Sequence, residues 1–287
     1  MYAQKSTIVR AVRPMFKTLE AGAPGVGSVI AERFWCAIPA GRPMRAGAPG
    51  DVFKVTFQGR EVVAEAWGEG PVIYLMHGWG GRRAQLDMLV EPLLWAGHRV
   101  IAFDAPGHGD SAPGAFGPGR GLLTEFSGAL EAVSAVGGAA HAVIAHSGGA
   151  AAASLAVLDG WKVARVALIA PMADPIPYTY EFAAALGFGE RIRTGFMRRL
   201  ERRVGRPMTD FEIPRRLKAT ALSLPPALVL HDRLDKEVRF SDGETLAAAW
   251  PGAEFVATEG LGHRRIMRDP AIIERLVSHV AGVGVRV

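Results

Sequence analysis

The chain has 287 residues, of which 49% are hydrophobic and 21% charged, and its formal net charge is +5. These proportions exclude wholesale disorder and allow a large hydrophobic core, in one large α/β domain or in two small ones. The charge is modest for this length, and no patch of interleaved basic and aromatic residues indicates binding to nucleic acid. No window of about 20 apolar residues lacks charge, so no segment is predicted to span a membrane.

Residues 5–20 carry apolar side chains at helical spacing, with basic residues on the other faces. We expect this short helix to pack on its own domain. The alternative is a contact with a membrane surface or with a second subunit, which would make the protein a homodimer. The same region has no unbroken apolar segment and no cleavage-like site, so we expect no secretory signal.

Residues 21–50 are rich in Gly, Pro and Ala, and they predict an irregular segment, so that residues 1–50 form a helix and lead-in. The single cysteine of the chain, Cys36, excludes an internal disulfide and a cysteine-based zinc site. A chain without disulfides suits a reducing compartment, and we expect a cytoplasmic protein.

The rest of the chain alternates between strands and helices. Residues 52–57 and 61–66 are predicted to form an antiparallel hairpin around a tight turn at Gln58-Gly59. Further strands, all of them apolar runs, are predicted at 72–76, 100–103, 142–145, 163–170, 227–230 and 254–258. Apolar strands that alternate with helices predict an eight-stranded, mostly parallel sheet with helices on both faces.

Two helix starts are marked by capping residues. Ser241-Asp242-Gly243-Glu244 has the spacing of a capping box. Asp269-Pro270 combines an N-cap residue with a proline at the first helical position, and it predicts the start of the last helix.

The alternation stops between residues 171 and 223. Here Ile192, Phe196, Leu200 and Val204 recur at four-residue steps and predict one amphipathic helix. We expect this insertion to form a helical lid over the sheet, within a single domain of residues 1–287. Residues 181–220 hold ten basic and five acidic residues. A solvated helix face explains this excess, and attraction of an anionic substrate is the alternative.

Three reactive side chains follow predicted strands, in the order Ser, Asp, His. Ser147 follows the strand at 142–145, Asp235 the strand at 227–230, and His263 the last strand. In a parallel sheet, ligands bind outside the carboxyl ends of the strands. The small residues on either side of Ser147 would permit a sharp turn from strand to helix.

These features resemble the α/β-hydrolase family over about residues 50–285. The turn at Ser147 resembles the nucleophile elbow of that family, although Ala145 stands where glycine is usual. His77-Gly78-Trp79-Gly80-Gly81 resembles the oxyanion loop, and residues 103–111 resemble the turn after the next strand.

The resemblance implies a role for each reactive side chain. Ser147 would be the nucleophile, His263 its general base, and Asp235 the acid that orients the imidazole. Asp232, three residues earlier, is the rival acid, and we expect it instead to cap its loop or to pair with an arginine. The backbone N–H groups of Trp79 and Gly148 would stabilise the oxyanion.

Other polar residues near these motifs predict no further chemistry. His77, His108 and His146 are interpreted as structural members of their loops, since their spacing matches no metal site. The glycines after His77 lack the Lys-Ser/Thr of a phosphate loop, and no dinucleotide fingerprint occurs. We therefore expect no metal and no cofactor.

The resemblance implies a serine hydrolase that acts through an acyl-enzyme on a carboxylic ester or thioester. The moderate length of the insertion favours a small or medium acyl group as the small-molecule substrate. Acyltransferases and C–C hydrolases use the same triad and stay open as alternatives. The other hypothesis is a ligand-binding sensor with this fold and little or no turnover.

Overall fold

The structure is a computed structural model that describes residues 6–39 and 47–282, with side chains from residue 11 onward. The chain divides into two compact units. The smaller unit comprises the described parts of Met1–Ala37 and Asp174–Glu212, and the larger unit those of Ile38–Ala173 and Ile213–Val287. Lys5, the first residue of the predicted N-terminal helix, lies outside the described residues.

One sheet forms the centre of the larger unit. Its strands are β1 (Asp51–Phe57), β2 (Arg60–Trp67), β3 (Val72–Met76), β4 (Arg99–Phe103), β5 (Ala140–His146), β6 (Val163–Ile169), β7 (Ala227–Asp232) and β8 (Glu254–Thr258). Their spatial order is β1-β2-β4-β3-β5-β6-β7-β8. β2 runs antiparallel to β1 and β4, and the later pairs are parallel. The predicted eight-stranded, mostly parallel sheet is confirmed.

Helices follow most of the strands. In chain order they are α1 (Ser6–Gly22), α2 (Pro24–Trp35), α3 (Val90–Trp95), α4 (Leu123–Gly137), α5 (Gly148–Leu158), α6 (Ile176–Leu186), α7 (Glu190–Val204), α8 (Ile213–Ala219), α9 (Phe240–Ala249), α10 (Gly262–Arg265) and α11 (Pro270–Ala281). Short 3₁₀ helices span Arg83–Leu89, Met208–Phe211 and Ile266–Arg268. In the part of the chain that the structure describes, no helix combines the length and the hydropathy needed to cross a membrane.

Helices cover both faces of the sheet. On one face, Leu93 of α3 and Leu276 of α11 pack with strand residues such as Ile73 and Ile144 in one buried cluster. On the other face α5 packs against α4 and against β3, β5 and β6. Every residue of α5 is buried, because its Ala-rich sequence presents no polar side to water. The predicted arrangement of helices on both faces is therefore confirmed.

The hairpin turn between β1 and β2 is as tight as predicted. Gln58 and Gly59 both adopt left-handed backbone angles, with φ of 50° and 73°. Two successive positive φ angles are the signature of the type I′ turn, whose twist matches that of the flanking strands. Phe57 therefore pairs directly with Arg60, and the register of the whole hairpin follows.

The smaller unit is a cluster of helices with an aromatic core. Phe16 of α1 is fully buried, and its ring lies 5.0 Å from that of Phe188. Phe196 of α7 lies 5.7 Å from the rings of both Trp35 and Phe182. Within this unit, α1 thus packs on its own chain, as the short amphipathic pattern predicts.

A buried carboxylate joins α2 to α7. Glu32 is 1% exposed and accepts hydrogen bonds from Nε of Arg199 at 2.7 Å and Nε of Arg203 at 2.9 Å. A buried charge is tolerated only when it is paired, so these two arginines neutralise Glu32. Part of the basic excess in residues 181–220 therefore has a structural explanation.

The irregular segment predicted over residues 21–50 is wrong for Pro24–Trp35, which form α2. Proline fits the first turn of a helix, where its missing N–H would have no intrahelical partner. A Cβ on Gly27 would lie 2.3 Å from the Ile192 side chain, so this glycine permits α2 to approach α7 closely. Residues 40–46 of the same segment lie outside the described residues.

The predicted capping box at Ser241–Glu244 is also wrong. Helix α9 begins at Phe240, so Ser241 already lies inside the helix, and the carboxylate of Asp242 accepts a hydrogen bond from the backbone N–H of Ala173. The carboxylate of Asp242 therefore makes a tertiary contact, and the side chain of Arg239, the N-cap residue, does not cap α9. By contrast, Asp269 caps α11 as predicted, accepting from the N–H groups of Ala271 and Ile272.

The insertion at 171–223 contains α6, α7 and α8. The helix predicted from Ile192 to Val204 is confirmed as α7, with its apolar side chains turned into the smaller unit. The role of the insertion as a lid, and the assignment of residues 1–287 to a single domain, stay predictions.

Candidate active site

Ser147 occupies the sharp turn between β5 and α5. Its backbone angles, φ 55° and ψ −121°, are strained for any residue other than glycine. A Cβ on Gly149 would lie 2.3 Å from the carbonyl oxygen of His77, so only glycine fits two positions after the serine. Ala145, two positions before it, is fully buried and small enough for this turn.

Ser147, His263 and Asp235 lie in one hydrogen-bonded series. Nε2 of His263 is 3.1 Å from Oγ of Ser147, and Nδ1 of His263 is 2.7 Å from Oδ2 of Asp235. A carboxylate only accepts, so Nδ1 carries the proton and Nε2 is left to accept from the serine hydroxyl. In this tautomer Nε2 of His263 has a free electron pair directed at the Ser147 hydroxyl.

Asp235 is held as a carboxylate. Its side chain is fully buried, and Oδ1 accepts hydrogen bonds from the N–H groups of Glu237 at 2.7 Å and Val238 at 3.0 Å. Burial raises the pKa of Asp235, but contacts with His231 and His263 and the backbone bonds outweigh it, so the pKa lies below its usual range. Asp235 therefore carries its charge at neutral pH.

Asp232 has different partners from those of Asp235. Its Oδ2 accepts from the Thr258 hydroxyl at 2.8 Å and from the N–H of Leu261 at 2.9 Å, and its Oδ1 accepts from the N–H of Leu234. These bonds join the end of β7 to the segment that follows β8 and carries His263. Asp232 thus caps its own loop, which was one of the two roles expected for it.

The loop after β3 brings the backbone of Trp79 next to Gly148. A Cβ built on Gly148 would lie 3.5 Å from the Trp79 nitrogen. Gly148 is also the first residue of α5, where the helix dipole favours negative charge. Two backbone N–H groups beside Ser147 are the arrangement that stabilises an oxyanion.

His77 ties the loop after β3 to the loop after β4. Its Nδ1 donates to the carbonyl oxygen of Gly78 at 2.8 Å, and its Nε2 accepts from the N–H of Ala105 at 3.0 Å. Burial lowers the pKa of His77 to about 4, so the ring stays neutral and keeps both bonds. His77 fits the structural role that the sequence suggests.

A partly buried ion cluster, with Asp104 fully buried, connects the same two loops. Arg83 pairs with Asp104 and Glu65, and its backbone N–H also donates to Asp104 at 2.6 Å. A Cβ on Gly109 would collide with the Asp104 carboxylate, and Gly109 has a φ of 50°. The turn at residues 103–111 thus folds around Asp104.

Sequence reasoning missed two side chains at this site. Gln85, in the 3₁₀ helix after β3, accepts from the N–H of Gly78 at 2.8 Å. His231, buried in β7, places Nε2 3.3 Å from Oδ2 of Asp235. Neither lies in a spacing pattern that indicates a function, so the sequence alone carries no signal for them.

Comparisons with known proteins concern the family and the fold of the chain. The sequence profile described as the Alpha/beta hydrolase family matches residues 73–276. A stretch of 134 residues, 46% of this chain, is 31% identical to the dihydrolipoyllysine-residue acetyltransferase component of the acetoin cleaving system of Cupriavidus necator. That match covers 31% of the relative, so the chain spans less than a third of its length.

Solved structures share the fold at low sequence identity. A bromoperoxidase from Bacillus anthracis is 16% identical with a TM-score of 0.59, covering 80% of this chain and 99% of its own. An esterase from a Rhodococcus species is 18% identical with a TM-score of 0.59, and the match covers 81% of this chain and 99% of the esterase. A thermophilic esterase from Thermogutta terrifontis is 21% identical with a TM-score of 0.57, and the match covers 81% of this chain and 97% of that esterase. At these identities the likeness concerns the fold.

Proposed function

Because the chain belongs to the alpha/beta hydrolase family, we propose that it is a serine hydrolase that cleaves carboxylic esters or thioesters through an acyl-enzyme. The observation that carries the proposal is the hydrogen-bonded series from Ser147 through His263 to Asp235. A serine hydroxyl is too weakly acidic to attack a carbonyl group unaided, and a base within hydrogen-bond reach removes that limit.

In the proposed reaction, Ser147 Oγ attacks the acyl carbon while its proton passes to Nε2 of His263. Asp235 stabilises the resulting imidazolium without taking the proton. The N–H groups of Trp79 and Gly148 stabilise the oxyanion of the tetrahedral intermediate. His263 then protonates the leaving alcohol or thiol, which departs and leaves the acyl-enzyme. Water, activated by the same imidazole, releases the carboxylic acid and restores Ser147.

A small or medium acyl group is the proposed substrate class. This choice is supported by the moderate length of the insertion at 171–223. A panel of p-nitrophenyl esters of increasing chain length tests it, because a long-chain lipid hydrolase would turn over the long esters best.

An acyltransferase that uses the same three residues is the second candidate. Its support is the similarity over 134 residues to a protein named as an acetyltransferase component. The two reactions differ in what attacks the acyl-enzyme, water or another nucleophile. Added alcohols, amines and thiols will separate them: a hydrolase releases mainly the acid, whereas an acyltransferase transfers most of the acyl group.

Labelling by a fluorophosphonate probe, together with p-nitrophenyl acetate turnover, tests the proposal. We expect the wild-type protein to label, and Ser147→Ala and His263→Ala to lose both signals while they keep the fold. Ser154→Ala is the matched control, since Ser154 is a fully buried serine of α5 whose hydroxyl bonds to the Ala150 carbonyl. A wild-type protein that neither labels nor turns over would favour the ligand-binding sensor instead.

A further inference from the structure

We propose that Gln85 and His146 form a hydrogen-bonded bridge that positions the oxyanion loop and the base His263 relative to each other. The proposal rests on the proposed function, since it concerns the same site. Both residues act through their neighbours and are positioning residues.

The bridge consists of three contacts. The N–H of Gly78 donates to Oε1 of Gln85 at 2.8 Å. Nε2 of Gln85 lies 3.4 Å from Nδ1 of His146. At the far end, Nε2 of His146 lies 2.9 Å from the backbone carbonyl oxygen of His263. The bridge therefore runs from the residue before Trp79 to the residue that carries the catalytic imidazole.

The donors and acceptors along the bridge fit one arrangement. A carbonyl oxygen only accepts, so Nε2 of His146 must carry the proton and Nδ1 must accept. Nδ1 can then accept a hydrogen bond from the amide NH₂ of Gln85. The amide oxygen of Gln85 in turn accepts a hydrogen bond from the N–H of Gly78. Reversing either the imidazole tautomer or the glutamine amide would break two contacts at once.

The surroundings of the bridge suit this arrangement. His146 is 1% exposed, and its ring centroid lies 4.6 Å from that of His263. Burial and the nearby His263 lower the pKa of His146 to about 3, so it stays neutral. A Cβ on Gly81 would lie 2.4 Å from Oε1 of Gln85, so Gly81 leaves the room that the glutamine needs.

The bridge matters because the two halves of the site come from different loops. Trp79 follows β3, whereas His263 follows β8, at the far edge of the sheet. A displacement of about 1 Å between reacting groups can cost about 100-fold in rate. A neutral imidazole between them fixes the distance without placing a second positive charge beside the imidazolium of His263.

Steady-state kinetics of p-nitrophenyl acetate hydrolysis test the bridge. We expect Gln85→Met and His146→Leu to lower kcat by about 10- to 100-fold, with KM changed by less than about twofold. His146→Gln should recover most of the loss, because a glutamine amide can still donate to the His263 carbonyl. His98→Leu is the control, since His98 is a buried histidine that precedes β4, at the amino end of the strands.

Two further measurements separate positioning from folding and from the proposed function. Thermal unfolding should show Gln85→Met close to the wild type, so its kcat reports position alone. Histidine-selective ¹⁵N NMR should show His146 protonated at Nε2 in the wild type, whether or not the protein turns over ester. A wild-type His146 protonated at Nδ1, or a Gln85→Met variant with full kcat in an active enzyme, would overturn the bridge. Absence of turnover with the Nε2–H tautomer in place would instead contradict the proposed function.

Discussion

Oδ2 of Asp235 lies 2.7 Å from Nδ1 of His263, while Oδ1 of the same carboxylate accepts hydrogen bonds from two backbone N–H groups of its own loop. The carboxylate cannot rotate away from His263 without giving up these backbone bonds. The orientation of the imidazole is therefore set by the loop after β7.

We predict that Asp235→Asn lowers kcat for ester hydrolysis by about 10⁴-fold, because an amide that donates to Nδ1 stabilises the wrong tautomer of His263. Steady-state kinetics with p-nitrophenyl acetate will measure the loss. Thermal unfolding of the same variant is the accompanying control.

Asp232→Asn is the matched variant for the acid assignment. The carboxylate of Asp232 accepts hydrogen bonds from N–H and O–H groups, and the amide NH₂ of asparagine would face some of these donors with another donor. We therefore expect a loss of stability of about 1–3 kcal/mol. Activity should fall much less than in Asp235→Asn. If Asp232→Asn suffers the 10⁴-fold loss instead, Asp235 is not the acid.

Strain at Ser147 predicts an order of stability between two inactive variants. Both Ser147→Gly and Ser147→Ala lose the bond to His263, but only glycine relaxes the backbone at φ 55°. We expect the glycine variant to be more stable by about 1 kcal/mol in chemical unfolding. At Ser154, inside α5, the order should reverse, because glycine costs about 1 kcal/mol relative to alanine in a helix. The same order at both positions would argue against strain at Ser147.

Of the two glycines after Ser147, Gly149 is predicted to be needed for stability and Gly148 for activity. Gly149→Ala would drive a methyl group against the carbonyl oxygens of His77 and Met76, at 2.3 Å and 3.0 Å, so this variant should unfold at a clearly lower temperature. In Gly148→Ala the methyl group meets only ordinary contacts, at 3.5 Å from the Trp79 nitrogen. That variant should stay folded but lose kcat, because the methyl group lies beside the proposed oxyanion donor. Equal melting temperatures for the two variants would contradict this distinction.

Buried histidines predict a loss of stability in mild acid. Burial lowers the pKa of His77 to about 4 and those of His108 and His146 to about 3, from 6.5. Below pH 6.5 the histidines therefore bind protons in the unfolded chain but not in the folded chain. As the pH is lowered from 6.5 towards these lower pKa values, the free energy of unfolding decreases. Each histidine contributes up to about 1.4 kcal/mol per pH unit.

Urea unfolding at several pH values measures this slope. A His108→Phe variant removes one of the three groups, and its slope should be shallower by up to about 1.4 kcal/mol per pH unit. An unchanged slope would mean that His108 titrates normally in the folded protein.

The packing of α1 predicts a contrast between neighbouring residues. Phe16 is fully buried against Phe188, whereas Met15 is 38% exposed. Phe16→Ala should cost about 3–5 kcal/mol of unfolding free energy, and Met15→Ala less than about 0.5 kcal/mol. Thermal and chemical unfolding will compare them. Similar losses for both would mean that α1 does not depend on its buried face.

Patterns within single elements made most of the sheet predictable. Strand β3 is a purely apolar run, and its bounds follow from that run alone. The elbow at Ser147 was predictable too, because the strain of its turn demands small residues and the sequence supplies them. The order of serine, acid and base followed from which residues come after each strand.

Features that depend on contacts distant in sequence could not be predicted. At Gly27 of helix α2, a Cβ would collide with Ile192, and no residue near Gly27 in the sequence indicates that contact. Ser241 lies where a cap is expected, yet the helix begins at Phe240, and the side chain of Asp242 bonds to Ala173, 69 residues away in the sequence. Gln85 lies 3.4 Å from its partner His146, which is 61 residues away in the sequence.

The smaller unit is built from two stretches of chain, the described parts of Met1–Ala37 and Asp174–Glu212. A ribosome therefore releases α1 and α2 long before α6 and α7 exist. At about 5–20 residues per second, the intervening residues take roughly 7 to 30 seconds to synthesise. Throughout that interval Phe16 lacks the ring of Phe188, and Glu32 lacks both of its arginines. During that interval the buried faces of α1 and α2 are therefore without the side chains that cover them in the folded unit.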